Sequence, residues 1–240
     1  MPSVLSTDVA RFLSAVRPAM DEILREMEAY AERERFPHVG PEVGGFLRML
    51  ARLTEARRIF EFGSGFGYSA YWFAEALPED GEIVLTEIDA DELDRAKAYF
   101  ARGGYDGLAR YEHGDALETV TEYNGPFDVV LLDHQKDRYP EAFDAVVPKV
   151  APGGVVVADN AMQADVIDFP SLRAALEASQ ESAQSAGGTA DTADRPSPFD
   201  ILDEQTSGVA TYLERVRSHQ AFETVVLPLG EGLAVSYRLH

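Results

Sequence analysis

The chain contains no cysteine, which excludes disulfides, thiolate nucleophiles and cysteine-held metal centres. Lysine is nearly absent too: Lys97, Lys136 and Lys149 are its only representatives, and the other basic residues are arginines. No uninterrupted apolar run reaches the roughly 18 residues that a membrane span needs. No basic-then-apolar stretch opens the chain, so neither membrane insertion nor secretion is signalled, and a cytoplasmic location is the expectation. Positive charge is in short supply throughout: 21 Lys and Arg face 42 Asp and Glu, a net charge of −21. A surface of that sign repels phosphates, which argues against nucleic acid as the main partner. A cationic partner would fit, but so would a high-salt cytoplasm, where screening confines self-repulsion to about 3 Å at 1 M salt. Either way the acidity describes the solvent and not the reaction. It also singles out Lys136, because lysine is otherwise avoided.

What is present is regular. Of the 240 residues, 45% are hydrophobic, enough to bury the core of one α/β domain with additions. Apolar residues at Val9, Phe12, Leu13, Val16, Met20, Ile23, Leu24 and Met27 have helical spacing. They predict one or two amphipathic helices over 7–35, within an N-terminal helical segment 1–54 packed on the body. The loop at 36–41 carries His38, which reads as a surface residue, and Pro41 suits the first turn of a helix ending near Leu53. Strands are then expected at 58–62, 82–87, 109–113, 127–132 and 155–158, with helices at 68–77, 91–102, 117–123 and 139–150. That alternation means βαβ units and a parallel sheet. From 174 the composition turns to Ala, Ser, Gly, Thr, Asp and Glu, which predicts a flexible acidic insertion at about 178–207. A helix at 208–218 and strands at 223–227 and 232–239, joined through Pro228-Leu-Gly-Glu-Gly, complete a single domain.

Two strand ends carry chemistry. Val129 to Leu132 form an apolar run that delivers Asp133, followed by His134-Gln-Lys136. The run Val155 to Ala158 delivers Asp159-Asn160 in the same way. Neighbouring parallel strands would bring Asp133, Asp159 and Asn160 together at the carboxyl edge of the sheet, where open α/β sheets bind ligands. Three hard oxygen donors suit Mg²⁺ or Ca²⁺ rather than zinc. A single strand-end Asp is more often only a cap; two such ends beside a lysine favour a site. For Lys136 the alternatives are a solvated turn residue or an ion pair with Asp137.

Between the first strand and its helix lies Glu61-Phe-Gly-Ser-Gly-Phe-Gly67. It lacks the Gly-Lys-Ser/Thr of a phosphate loop, and Gly63, Gly65 and Gly67 are spaced one residue too tightly for a dinucleotide fingerprint. Glu61 disfavours a pyrophosphate but would welcome the ammonium of S-adenosylmethionine. Glu87 ends the second strand, where a carboxylate can accept ribose hydroxyls. Gly114-Asp115-Ala116 follows the third and could supply an acceptor for an adenine amino group. Each of these acids alone could be a helix cap or part of a structural turn.

With these residues assembled, the chain resembles the class I S-adenosylmethionine-dependent, metal-dependent O-methyltransferases that include catechol and caffeoyl-CoA O-methyltransferases. The likeness runs from about 39 to 160 and resumes in the C-terminal helix and strand pair. Its most specific part is Leu132-Asp-His-Gln-Lys-Asp-Arg-Tyr139, supported by Asp159-Asn160 and by the pattern from Glu61 to Ser69. The resemblance implies a Rossmann-like, seven-stranded, mostly parallel sheet with one antiparallel strand near the C-terminus and helices on both faces. It implies that Asp133, Asp159 and Asn160 hold a divalent cation, Mg²⁺ before Ca²⁺, and that Lys136 is the general base. Glu61, Gly63, Gly65 and Ser69 would line the methionine end of the cofactor, and Glu87 the ribose. Asp115 and Ala116 would border the adenine, Val39 would close over the cofactor, and Asp133 and His134 would complete its pocket. Gln135 stands where the catechol enzyme has a tryptophan, and the family's late substrate-contacting glutamate has no assignable counterpart. The expected activity is methyl transfer to a hydroxyl of a small molecule with vicinal oxygens. Two alternatives remain: a cofactor-binding regulatory or partner protein without turnover, and a nicotinamide dehydrogenase, which the glycine spacing disfavours. A homodimer is left open.

Overall fold

The computed structural model describes residues 7–185 and 197–239. Seven strands form one sheet in the order β3-β2-β1-β4-β5-β7-β6. They are β1 (Arg58–Phe62), β2 (Glu82–Glu87), β3 (Ala109–His113), β4 (Phe127–Leu132), β5 (Val150–Ala158), β6 (Phe222–Leu227) and β7 (Leu233–Arg238). β1 to β5 pair in parallel, while β7 runs antiparallel to both of its neighbours, β5 and β6. This is the Rossmann-like arrangement expected, with its single reversed strand. Strand order reverses between β1 and β4, which opens a crevice at their carboxyl ends.

Successive strand residues feed opposite faces, as the pleat requires. Ile59, Ile83, Leu85, Val129, Leu131, Val155 and Val157 pack under α2 (Glu22–Glu34), α3 (Gly40–Leu53), α4 (Tyr68–Ala74) and α5 (Ala90–Gly103). Phe60, Phe62, Val84, Val130, Leu132, Val156 and Ala158 pack under the other helical layer. That layer is α6 (Ala116–Glu122), α7 (Tyr139–Val146), α8 (Phe169–Ser185) and α9 (Glu204–Ser218). Burial on both faces explains why the central strands are continuous apolar runs. The N-terminal segment begins as two helices, α1 (Thr7–Ala15) and α2, separated by a stretch containing Pro18.

Several boundaries differ from expectation. The helix at 139–150 stops at Val146, and Val147–Lys149 continues as one 3₁₀ turn around Pro148, whose missing N–H cannot extend an α-helix. β5 starts at Val150 rather than 155, its pairing with β4 interrupted by a register irregularity next to Phe127.

The two ends of the acidic stretch are helical. Residues expected to be a flexible insertion are helical through Ser185 in α8 and again from Glu204 in α9; residues 186–196 of that stretch lie outside the described residues. Leu172 and Ala175 are buried and Leu176 packs beside them, so three apolar positions at helical spacing dock α8 despite its polar composition. Phe199, between the two helices, is buried in the same cluster. α9 starts four residues before Gly208 because Asp203 caps it, its carboxylate accepting the Thr206 N–H at 3.0 Å.

Gly208 therefore lies inside α9, for a reason of space. A Cβ there would sit 2.3 Å from the Lys136 carbonyl oxygen and 2.4 Å from the Asp137 Cα. Gly208→Ala should destabilise the fold by about 1–3 kcal/mol through overpacking against this turn. Thermal or denaturant unfolding measures it; an unchanged midpoint would mean that the helix–turn contact is loose.

Candidate active site

The strand ends are set by register. Leu132 pairs with Ala158, and the ladder continues one residue further: Asp133 N–H donates to Phe62 O at 2.9 Å, and Asp159 N–H to Leu132 O at 3.0 Å. Asp133 and Asp159 therefore emerge side by side, as the sequence predicts. Lys136 opens a one-turn 3₁₀ helix, Lys136–Arg138, that leads into α7. Its ammonium folds back, donating to Asp133 Oδ1 at 2.9 Å and to the Tyr139 hydroxyl at 2.8 Å. Lys136 is only 8% exposed, which removes the solvated-turn alternative. Asp137, the other alternative partner, instead accepts Gln205 Nε2 at 2.6 Å, while Gln205 Oε1 accepts the Lys136 N–H at 2.9 Å. The first turn of α9 thus fixes the lysine turn through one amide side chain.

Asp159 is 5% exposed, and its Oδ1 has no hydrogen-bond partner. Burial pushes its carboxyl up to about 8, and the charge of Asp133 adds to the effect. Asp133 is also raised by burial, against the opposing pull of Lys136. Asn160 adopts φ 53° and donates its Nδ2 to Glu231 Oε2 at 2.6 Å. Among the described residues no three Asp, Glu, His or Cys side chains converge as a metal cluster. The expected set has two carboxylates and an amide oxygen. A buried carboxylate oxygen without a partner, beside a second carboxylate, is chemistry that a hard divalent cation fits.

The glycine turn forms the adjoining wall. Gly63 has φ 79°, and a Cβ on it would lie 2.5 Å from the Asp133 carbonyl oxygen, so only glycine lets β1 exit against the end of β4. Glu61 is 0% exposed; its Oε1 accepts the Ser69 hydroxyl, and its Oε2 has no partner. Burial raises its carboxyl to about 8, with Asp133 and Glu87 adding to the shift and Ser69 opposing it. Such a group is poised to take a cation, which would restore its ionised form.

Gly63, Ser69, Asp133, Lys136, Asp159 and Asn160 line an open cleft of about 930 Å³ with Val39, Gly65, Glu87, Asp115, Ala116, His134 and Gln135, whereas Glu61 is fully buried and touches that wall through its bond from Ser69. Not all of them are free to bind as expected. Glu87 already accepts N–H groups from Gly65 at 2.8 Å, Ile88 at 2.8 Å and Asp89 at 3.0 Å. Asp115 caps α6 through Leu117 N–H at 2.8 Å and takes Arg138 Nη1 at 2.7 Å. Burial works to raise Asp115, but the bonds from Arg138 and Leu117 outweigh it and hold the carboxyl below its ordinary value. The His134 ring lies between Phe62 and Tyr139, at 5.2 and 5.3 Å, with neither nitrogen partnered; burial, then Lys136 and Arg138, push it down to about 3. It is neutral at physiological pH.

Four residues were not identified from sequence. His38, expected at the surface, is half-buried on the cleft wall, edge-on to Tyr68 at 4.7 Å, and its Nδ1 accepts the Gly40 N–H at 3.1 Å. Arg138, Gln205 and Glu231 reach the site through contacts spanning 23, 69 and 71 positions, which no local pattern encodes.

The geometry now meets its relatives. A family model described as O-methyltransferase matches residues 13–176, more than half of the chain. The chain belongs to the O-methyltransferase family. A catechol O-methyltransferase of Niastella koreensis is 34% identical over 144 residues, which cover 58% of this chain and 65% of that relative's length. Among solved structures, the O-methyltransferase TomG of Streptomyces achromogenes, involved in tomaymycin synthesis and determined with S-adenosylmethionine, is 26% identical with a TM-score of 0.74. That match covers 96% of this chain and 95% of TomG. An O-methyltransferase of Bacillus cereus, in complex with S-adenosylhomocysteine, shares the fold at 22% identity, with a TM-score of 0.75 and 97% of both chains covered. The fold likeness extends over the whole sheet, and the family match covers β1 to β5 with the strand ends that carry Asp133 and Asp159. No helix among the described residues is long and apolar enough to cross a membrane.

The buried carboxyls of this O-methyltransferase make stability depend on pH. Asp159 and Glu61 are raised from 3.8 and 4.5 to about 8, so between those values the folded chain holds protons that the unfolded chain has released. Stability without added metal or cofactor should therefore fall as pH rises from 5 to 8, by up to about 1.4 kcal/mol per pH unit for each retained proton. Denaturant unfolding in chelator measures the slope, which Asp159→Asn and Glu61→Gln should each make shallower. A flat wild-type profile would mean that neither carboxyl holds its proton.

Proposed function

We propose that this chain transfers the methyl group of S-adenosylmethionine to a hydroxyl of a small molecule with vicinal oxygens, in a divalent-metal-dependent reaction. The observation that carries the reading is the Asp159 oxygen buried without a partner, beside Asp133 and within the same cleft as Lys136. When bound, the cofactor supplies an electrophilic methyl on a sulfonium sulfur, and the cation supplies charge that stabilises an acceptor oxyanion. Everything else falls to the chain.

Glu61, through its free oxygen, would hold the ammonium of the cofactor's amino-acid end, and Ser69 would keep that carboxylate oriented. Glu87 and Asp115 would border the ribose and adenine with what acceptor capacity their backbone and Arg138 contacts leave, since a carboxylate offers about four acceptor sites. Val39 would cover the cofactor from the loop before α3. Asp133 and Asp159, with the amide oxygen of Asn160, would hold the cation. Once the Lys136 ammonium has released one proton to solvent beside the arriving cation, its neutral Nζ would take the acceptor hydroxyl's proton as the oxygen forms its bond to the methyl carbon and the carbon–sulfur bond breaks. Transfer of this kind is chiefly a positioning problem, which the rigid strand ends address.

Turnover on a panel of catechols, with and without chelator, tests the reading directly; undiminished activity in chelator would sink the metal dependence. Asp159→Ala should abolish turnover with cofactor affinity largely kept, whereas Asp133→Ala should damage both. Lys136→Arg keeps the charge, yet guanidinium does not deprotonate in proteins, so kcat should drop by about 10²–10⁴-fold, with partial rescue at alkaline pH. A rate within a few-fold of wild type across that pH range would remove Lys136 from the mechanism.

A further inference from the structure

The β6–β7 hairpin borders the cleft beside β5, and one of its side chains reaches the strand-end set. Glu231 Oε2 accepts Asn160 Nδ2 at 2.6 Å. The main chain around this bond is tied three times: Ala161 N–H donates to Gly232 O at 2.8 Å, and Met162 and Gln163 N–H both donate to Glu231 O, at 3.3 and 2.9 Å. Asn160 itself sits at φ 53°, a left-handed conformation that asparagine tolerates but that its surroundings must select. The amide is therefore held at both its backbone and its side chain.

The chemistry of the pair sets the amide's sense. A carboxylate only accepts hydrogen bonds, so it draws the NH₂ group of Asn160 and turns the amide oxygen the other way. An asparagine beside two carboxylates has two orientations, and only one offers a hard oxygen donor; the other presents N–H groups that would repel a cation.

We propose that Glu231 is a positioning residue, which fixes the amide orientation of Asn160 so that its oxygen completes the donor set of Asp133 and Asp159. The inference rests on the metal-dependent reading above. It gives the reversed strand pair a role in that site: the hairpin that β7 brings back next to β5 holds the third donor in place. Groups oriented in this way around a metal ligand typically change metal affinity by 10- to 100-fold when removed.

The test is Mn²⁺ binding to the full chain, followed by EPR, with S-adenosylhomocysteine affinity and the thermal midpoint as controls. Glu231→Gln keeps the size and the backbone bonds, but its amide can pair with either orientation of Asn160. It should weaken Mn²⁺ binding by about 10- to 100-fold while both controls stay unchanged. Removing a charge from the neighbourhood would also weaken a cation, so the deciding measurement is a cycle with Asn160→Ala. If Glu231 acts through Asn160, adding Glu231→Gln to Asn160→Ala costs nothing further. Additive losses, or wild-type Mn²⁺ affinity in Glu231→Gln, overturn the proposal. Wild-type chain that takes up neither Mn²⁺ nor Mg²⁺ overturns the metal reading itself, and this inference with it.

Discussion

A half-buried carboxylate set beside a buried one is the constraint on which the site depends. The parallel register of β4 and β5 leaves Asp133 and Asp159 no choice but adjacency, and like charges in a poorly solvated place cannot both ionise without compensation. Lys136 bonds to Asp133 and its charge also favours an ionised Asp159, whose Oδ1 nevertheless has no hydrogen-bond partner. The lysine can serve only if its turn is held close to the strand end, and that falls to α9. Gly208 admits the main chain of the turn, and Gln205 clamps the Lys136 N–H and the Asp137 carboxylate together. A helix far along the sequence is thereby part of the site without lending it a charged group.

The second half of the cleft is tied to the first through main chain. Gly63 passes so close to the Asp133 carbonyl that any side chain there would push β1 and β4 apart. The same turn follows Glu61, whose burial and free oxygen create a demand for positive charge next to the carboxylate pair. Demand for positive charge thus arises at two points, the Glu61 oxygen near the end of β1 and the Asp159 oxygen after β5. A pyrophosphate would find carboxylates at both. This is the physical reason why the glycine turn does not make a dinucleotide site, quite apart from glycine spacing.

The strands at 58–62, 82–87, 109–113 and 127–132 were legible to the residue: burial on both faces writes β2 and β4 as apolar runs with polar ends, while the edge strand β3 is marked by its place in the strand–helix alternation. The strand-end acids were legible for the same reason: each run stops where the side chains meet the cleft. α8 was not, since Leu172, Ala175 and Leu176 are diluted among Ala, Ser and Glu, and composition concealed a periodicity that suffices to dock one face. Gly208 looked like a helix start and is a point of close approach, a distinction that only the packing partner reveals. Glu87 and Asp115 were placed correctly at the cleft, but their commitments to backbone N–H groups and to Arg138 depend on local geometry that residue type does not fix. Glu231 was hidden because its approach to Asn160 requires β7 to return antiparallel beside β5.

The same energetics bear on whether the chain turns over or merely binds. A protein retaining only a cofactor pocket needs Glu61 and the glycine turn, but gains nothing from desolvating Lys136, Asp133 and Asp159 together. Burying charged groups costs several kcal/mol each unless they are paired, and here the pairing is incomplete by one oxygen. Replacing such a cluster with apolar residues is often neutral or stabilising, so it is poor material for structure alone. Strained electrostatics of this kind concentrate where a site must hold charge that arrives with its ligands. The cluster lines the same cleft as Gly63 and as Ser69, whose hydroxyl bonds to Glu61. Turnover, rather than binding alone, is what that arrangement would be for.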